Sequence, residues 1–168
     1  MASPMAQSIT SLLFDDVARR ASESARKRLN YNFHAGPEDN PHRFLNVLLK
    51  GTYIRPHRHS EPPKSETFLV LEGQAKFAIF DDCGHVIEQH ELGDATVPRA
   101  WGIDCSPGTW HTIIALSDRA VCFEVKPGPW QPASDKEFAP WAPQEGDPAA
   151  EAYLSYLVEL KPRGSGSS

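Results

Sequence analysis

Residues 51–73 read Gly51-Thr-Tyr-Ile-Arg-Pro-His57-Arg-His59-Ser-Glu-Pro-Pro-Lys-Ser-Glu66-Thr-Phe-Leu-Val-Leu-Glu-Gly73. His57 and His59 are two positions apart, and on an extended strand such side chains leave the same face. Glu66 opens the apolar run that follows. If this run pairs back as a second strand, its carboxylate joins the two imidazoles. The segment therefore predicts two adjoining strands that bring three polar side chains to one place.

A third imidazole is available from His111, which follows the turn signal Pro107-Gly108. Three neutral imidazoles and one carboxylate are a suitable donor set for a divalent first-row metal. Nitrogen and oxygen donors suit Fe, Mn, Co, Ni, Cu and Zn, so the ligand set does not choose among these metals. The spacing predicts a metal site formed by His57, His59, Glu66 and His111.

These residues resemble the two sequence motifs of the cupin superfamily. The first motif is matched in order by Gly51, His57, His59, Glu66 and Gly73, and the second by Pro107, Gly108 and His111. The chain departs from the usual pattern in a longer spacing between His59 and Glu66, in a contiguous Pro-Gly pair and in Ala115, where many cupins carry asparagine.

A more specific resemblance is to the WbuC family of cupin-fold metalloproteins. It is carried by four segments, Arg55-Pro-His-Arg-His59, Pro62-Pro-Lys64, Phe123-Glu-Val-Lys126 and Asp135-Lys-Glu-Phe-Ala-Pro-Trp141. It runs from about Asn30 to the C-terminal helical pattern. The resemblance implies bacterial surface-polysaccharide or lipopolysaccharide synthesis as the setting, and hence a sugar or sugar nucleotide as the substrate.

The chain of 168 residues is long enough for one domain with a sizeable core. Its 15 prolines and 11 glycines suit short strands joined by turns, while helical patterns occur at both ends. The predicted fold is all-β: a single cupin barrel (double-stranded β-helix, or jelly roll) with an N-terminal and a C-terminal helix. The predicted divisions are an N-terminal helical extension (1–30), the barrel (31–127), a Pro-rich wrap with the C-terminal helix (128–161) and a flexible tail (162–168).

Composition argues against several classes of function. A formal net charge of -5 gives no reason to expect nucleic-acid binding. No apolar run approaches the ~18 residues of a membrane span, and no signal-peptide pattern is present. Three cysteines without a CxxC pattern indicate reduced thiols in a cytoplasmic protein.

Other polar residues are candidates for supporting roles. Arg55 shares the strand parity of His57 and could clamp an anion, and Lys64 lies on the proline loop beside the ligand set. Glu124 alternates with apolar neighbours, which favours an interior position where it could orient a ligand or act as an acid or base. For these three residues, a plain surface charge is the alternative. Trp110 either packs or stacks on a substrate. The loop residue His34 either reaches a pocket or lies at the surface, which is the more usual position of a lone loop histidine.

Two classes of function are compatible with these residues. The first is a metal-dependent enzyme, an isomerase or epimerase or else a dioxygenase, that acts on a small polar or anionic metabolite. The second is a small-ligand-binding or sensing cupin whose metal is structural. A metal-free epimerase resembling the deoxysugar cupins is disfavoured by the complete ligand set. The family resemblance also suggests a homodimer.

Overall fold

A computed structural model describes residues 5–161. The predicted tail at 162–168 lies outside the described residues. The elements in chain order are α1 (Ser11–Ser22), β1 (Arg28–Asn32), β2 (His42–Leu49), β3 (His57–Arg58), β4 (Glu66–Glu72), β5 (Gln74–Phe80), β6 (Val86–Gly93), β7 (Gly102–Cys105), β8 (Trp110–Ala115), β9 (Arg119–Lys126), β10 (Glu137–Phe138) and α2 (Ala149–Glu159). Neither helix in this range has the length and apolar composition needed to cross a bilayer.

The strands form two five-stranded sheets with the orders β1-β2-β9-β4-β7 and β10-β3-β8-β5-β6. Every strand pairing within them is antiparallel. The sheets face each other across an apolar core, where Phe68 of the first and Phe77 of the second have ring centroids 5.4 Å apart. This is the predicted all-β jelly roll, and the two predicted terminal helices are present.

The outer faces of both sheets are partly covered. Helix α1 lays Phe14 and Val17 against Leu45 and Val121 of the first sheet. The second sheet is covered by α2 and by the segment between β9 and α2, residues 127–148, which we call the strap. Because of this cover, all six residues of β8 are buried, including those on its outer face.

One feature of the barrel differs from the boundaries expected of the sequence. Strand β1 spans the predicted division at residue 30 and pairs with β2 along its whole length, so the first sheet begins inside the predicted helical extension. Further along the chain, β7 begins only at Gly102, after Pro98. Gly108 then adopts φ 75°, a conformation suited to glycine, and turns the chain into β8.

Lys76 ties the barrel to the C-terminal helix. Its side chain is 1% exposed, and its Nζ donates to the carbonyl oxygens of Leu157, Val158 and Leu160 at 3.1, 2.7 and 2.6 Å. These carbonyls belong to the end of α2, whose last turn carries no basic residue of its own. A cation at this position satisfies otherwise unpaired carbonyl groups and interacts favourably with the helix dipole.

We expect Lys76→Met to lower the free energy of unfolding by about 2–3 kcal/mol, because bonds from a charged donor are lost and buried carbonyl groups are left unpaired. Chemical denaturation followed by circular dichroism measures this change. Lys50→Met is the matched control, since Lys50 is exposed and its Nζ lies 3.8 Å from Asp118. A Lys76→Met protein as stable as the control would contradict the role given to this lysine.

Candidate metal centre and adjoining cavity

The four predicted ligand residues meet inside the barrel. His57 lies on β3 opposite His111 of β8, His59 follows β3, and Glu66 is the first residue of β4. All four are at most 4% exposed, and one donor atom from each lies within 4.8 Å of the others. The strand pairing of the two sheets therefore brings together side chains that are up to 54 positions apart (111 minus 57).

Backbone hydrogen bonds orient the three imidazoles. The Nδ1 atoms of His57 and His111 lie 3.0 and 2.9 Å from the carbonyl oxygens of Arg55 and Thr109, and Nδ1 of His59 contacts the carbonyl oxygen of Asp135. A carbonyl oxygen can only accept, so each Nδ1 carries the proton of its bond. This leaves the Nε2 lone pairs as the donors for a cation, an arrangement typical of metal-binding histidines.

Several atoms at the centre of the cluster have no hydrogen-bond partner. Nε2 of His59 lies 3.1 Å from one carboxylate oxygen of Glu66, and Nε2 of His111 lies 2.9 Å from the other. In the neutral tautomers set by the Nδ1 bonds, the Nε2 atoms are acceptors like the carboxylate oxygens. No hydrogen bond therefore joins them, and both Nε2 atoms and Oε2 of Glu66 remain unpaired. Unpaired buried polar atoms are costly, and one divalent cation would satisfy them all. The residues therefore fit a bound metal ion.

The charge states of His57 and Glu66 also suit this role, whereas that of His111 must change. Burial lowers the pKa of His57 well below its usual range, so its imidazole is neutral. Burial raises the pKa of Glu66, but His111 and then His59 outweigh it and hold that pKa well below its usual value. For His111, burial lowers the pKa, while Cys105 and Glu66 outweigh burial and raise it to about 10. A metal must therefore displace a proton from His111 at neutral pH.

Asp135 on the strap contacts the cluster through His59. Besides receiving His59 at its backbone carbonyl, it accepts from Nζ of Lys64 at 2.8 Å and from Nζ of Lys126 at 2.9 Å. Nζ of Lys126 also lies 3.7 Å from Glu66. The sequence does not predict the roles of Asp135 and Lys126. The only signal for either residue is that it lies in a segment resembling the WbuC family.

A cavity of about 630 Å³ adjoins the cluster. Its lining includes charged side chains and flat rings, among them Arg26, Arg28, Glu124, Lys126, Asp135, Lys136, His34, His42, Phe44 and Trp130. None of the four ligand residues lines it. The cavity and the cluster share a wall instead, because Lys126 and Asp135 line the cavity and also contact cluster residues.

Glu124 belongs to this shared wall. It is 5% exposed, in the interior position that its alternation with apolar residues predicts, and its Oε2 accepts from Nδ2 of Asn46 at 3.1 Å. Burial, followed by the charge of Glu66, raises the pKa of Glu124 to about 8. At neutral pH this carboxyl group is therefore largely protonated, and it can give or take a proton at the cavity surface.

The structure engages the three predicted substrate-binding residues elsewhere. Arg55 donates to the carbonyl oxygen of Ala139 at 2.7 Å. Lys64 is 3% exposed and is committed to Asp135. Trp110 donates from Nε1 to Asp82 at 2.9 Å and packs in the apolar layer under the strap. None of the three lines the cavity, and their contacts with a substrate stay predictions.

The loop residue His34 is half-buried at the cavity. His34 stacks in parallel on His42, with ring centroids 4.1 Å apart and planes 4° apart, and it lines the cavity. The loop that contains it folds back against β2, since Nδ1 of His34 bonds to the backbone of Arg43. The local sequence pattern does not predict that this loop packs back against β2.

The fold is a single cupin-type barrel, and its buried donor set fits a metal ion. The family model "Domain of unknown function (DUF6016)" matches residues 9–92, half of the chain, and the chain belongs to this family. No curated protein sequence matches the chain. The WbuC assignment is not confirmed by these comparisons, whereas the single cupin barrel is confirmed by similar solved structures.

Among these structures is the capsular polysaccharide assembling protein CapF from Staphylococcus aureus, with a TM-score of 0.55 and 20% identity over 68% of this chain and 30% of CapF. CapF with the inhibitor 3-isopropenyl-tropolone has a TM-score of 0.54 and 21% identity, over 68% of this chain and 32% of that one. Protein SO0799 from Shewanella oneidensis has a TM-score of 0.57 and 12% identity, covering 88% of this chain and 97% of its own. The chain spans about a third of the length of the CapF structures. At these identities the likeness shows the fold alone.

We expect His111→Ala to lower the metal content of the purified protein at least about tenfold, because the variant lacks one of four donors. Elemental analysis measures the content, and circular dichroism checks that the variant folds. His85→Ala is the matched control, since His85 is exposed and pairs with Asp81. Equal metal content in wild type and His111→Ala would remove His111 from the ligand set.

We expect His42 to make stability depend on pH. Burial lowers the pKa of His42 below its usual value of 6.5, although its bond to the carbonyl of Pro37 opposes this shift. The ring is therefore neutral in the folded protein but becomes protonated in the unfolded chain below about pH 6.5. Stability contributed by the neutral ring is lost as the pH falls from 6.5 toward the folded pKa.

The test compares wild type with His42→Phe, which keeps a flat ring beside His34 but cannot titrate. Thermal unfolding followed between about pH 8 and pH 5 should show a smaller acid loss of stability in the variant. His85→Phe, a change at an exposed histidine, should follow wild type. Parallel pH curves for wild type and His42→Phe would show that His42 contributes nothing to the acid dependence.

Proposed function

We propose that this chain is a metal-dependent enzyme that acts on a small polar or anionic metabolite. The observation that carries the proposal is the convergence of three oriented imidazole nitrogens and one carboxylate at a buried point where they lack other partners. The donor set suits Fe, Mn, Ni, Co, Cu or Zn. A divalent ion held there by His57, His59, Glu66 and His111 would supply Lewis-acid chemistry.

The residues of the shared wall would provide the remaining chemistry. Glu124 holds a proton at its carboxyl group beside the cavity, with Asn46 fixing its orientation. Proton transfer by a group of this kind is the central step of isomerases and epimerases, which favours that reaction class over a dioxygenase. Lys126 contacts Glu66 and Asp135 and neutralises part of the negative charge that surrounds the proton donor.

The substrate proposed is a sugar or sugar nucleotide of bacterial surface-polysaccharide synthesis. The WbuC resemblance implies this setting, and the similarity in fold to CapF, a capsular polysaccharide assembling protein, agrees with it. The cavity volume of about 630 Å³ is within the range of small-molecule sites. A cytoplasmic location and a homodimer belong to the same proposal.

A second candidate is a small-ligand-binding or sensing cupin whose metal is structural. It is favoured by the separation of the cluster from the cavity, since none of the four ligand residues lines the cavity wall. In that case the metal would stabilise the barrel, and the cavity would bind its ligand without turnover.

Nuclear magnetic resonance in D₂O distinguishes the two candidates. A panel of UDP- and dTDP-hexoses is incubated with metal-loaded and with chelator-treated protein. We expect metal-dependent exchange of a carbon-bound proton, and a loss of about 10²–10⁴-fold in Glu124→Gln, because a positioned acid or base contributes about that factor. Glu124→Gln should keep its metal content. Sugar binding without exchange, and without oxygen consumption, would contradict the enzyme and support the sensing cupin.

A further inference from the structure

Lys136 occupies an unusual position on the strap. Its side chain has substantial accessible surface, yet burial lowers its pKa. The charge of Lys126 lowers this pKa further, whereas the charges of Glu66 and Glu124 oppose the shift. A side chain that is accessible and yet surrounded by protein faces a cavity. Lys136 lines the 630 Å³ cavity. The side chain therefore extends inward, over the wall shared with the metal cluster.

The ammonium group of Lys136 lacks a counter-ion in residues 5–161. No carboxylate there lies within 4.0 Å of it, although Glu137 next to it pairs with Arg58. The nearby carboxylate of Asp135 is shared by Lys64 and Lys126, one on each oxygen. Two of the three lysines at this wall thus share the carboxylate of Asp135, and Lys136 pairs with no carboxylate among residues 5–161.

This excess of positive charge has an energetic consequence. An ammonium group that has lost part of its hydration is stabilised by an anion or by several acceptors, and a second ammonium nearby adds repulsion. A ligand that brings an anionic group to Lys126 and Lys136 would offset the lost hydration and reduce the repulsion between the two ammonium groups. Binding of that anion is a charge-assisted contact, which is stronger than a neutral hydrogen bond.

The neutral part of the lining indicates what accompanies the anion. Asn46 is buried with its Oδ1 unpaired, and Asn30 and Asn32 also line the cavity. Amides of this kind bond to hydroxyl groups, because they both donate and accept. The indole of Trp130 and the ring of Phe44 offer apolar surface for a ring-shaped ligand.

We infer that the cavity binds a hydroxylated ring that carries a carboxylate or a phosphate, with Lys126 and Lys136 holding the anionic group and Asn46 holding a hydroxyl. Sugar acids, sugar phosphates and nucleotide sugars share this chemistry. The inference deepens the proposed function and rests on it in one respect, because it takes the cavity as the substrate site of that enzyme. It assigns the anion contact to Lys136 in place of Arg55.

Calorimetric titration of the metal-loaded full chain tests the inference. The probes are glucuronate, glucose 1-phosphate, UDP-glucose and uncharged glucose, so that the carboxylate and phosphate arms are measured separately. We expect at least one anionic probe to bind wild type tenfold or more tighter than glucose. Lys136→Met should weaken that probe about tenfold or more, the usual scale for a lost charge-assisted contact.

Three further proteins make the result specific. Lys136→Arg keeps the positive charge and should retain most of the affinity lost in Lys136→Met, and Lys50→Met, on an exposed residue, should bind like wild type. Asn46→Ala should weaken the hydroxylated anionic probes without changing the response to inorganic phosphate. Equal affinity of wild type and Lys136→Met for every anionic probe, or no preference of wild type for any of them over glucose, would overturn the inference.

The metal content of each variant separates this outcome from a failure of the proposed function. Lys136→Met should keep the metal content of wild type, because Lys136 is not among the clustered donors. If His111→Ala keeps its metal, the proposed metal enzyme fails, while the probe titrations still decide the role of Lys136. If the metal is lost only in His111→Ala and Lys136→Met binds every anionic probe like wild type, the metal site is supported and the anion site is contradicted.

Discussion

Four polar side chains buried inside an apolar barrel are the constraint on which much of this structure depends. His57, His59, Glu66 and His111 are at most 4% exposed, and water cannot satisfy them. The protein meets part of the cost with three backbone carbonyls that fix the outward nitrogen of each imidazole. The inward atoms remain unpaired, and a cation shared among them removes the rest of the penalty.

The strap is connected to this constraint through one residue. Asp135 bonds to His59 with its backbone and to Lys64 and Lys126 with its carboxylate, so the same contact positions a ligand imidazole and anchors the strap. Strand β10, which follows at once, pairs with β3 beside His57. Order in the strap and order in the cluster are therefore coupled, and a change in either should be felt by the other.

The lysines near the shared wall differ in whether the protein supplies acceptors for their ammonium groups. This difference distinguishes structural from functional lysines. Lys64 and Lys76 are fully committed to protein acceptors and serve the fold. Lys136 has a similar chemical group but lines a cavity and lacks an acid partner in the described part of the chain. Buried polar groups that a fold satisfies completely stabilise it, whereas those left unsatisfied beside a cavity point to a ligand.

The sequence by itself determined the barrel, its two helices and the four clustered donors, because strand alternation, a Pro-Gly turn and helical periodicity are local patterns. It also placed Glu124 in the interior. Only the tertiary structure decided that Arg55 bonds to the strap, that Trp110 packs under it, and that Asp135 and Lys136 line the cavity. These roles depend on how the strap crosses the barrel, a contact between residues some 70 positions apart (135 minus 64 is 71), and no local period encodes it.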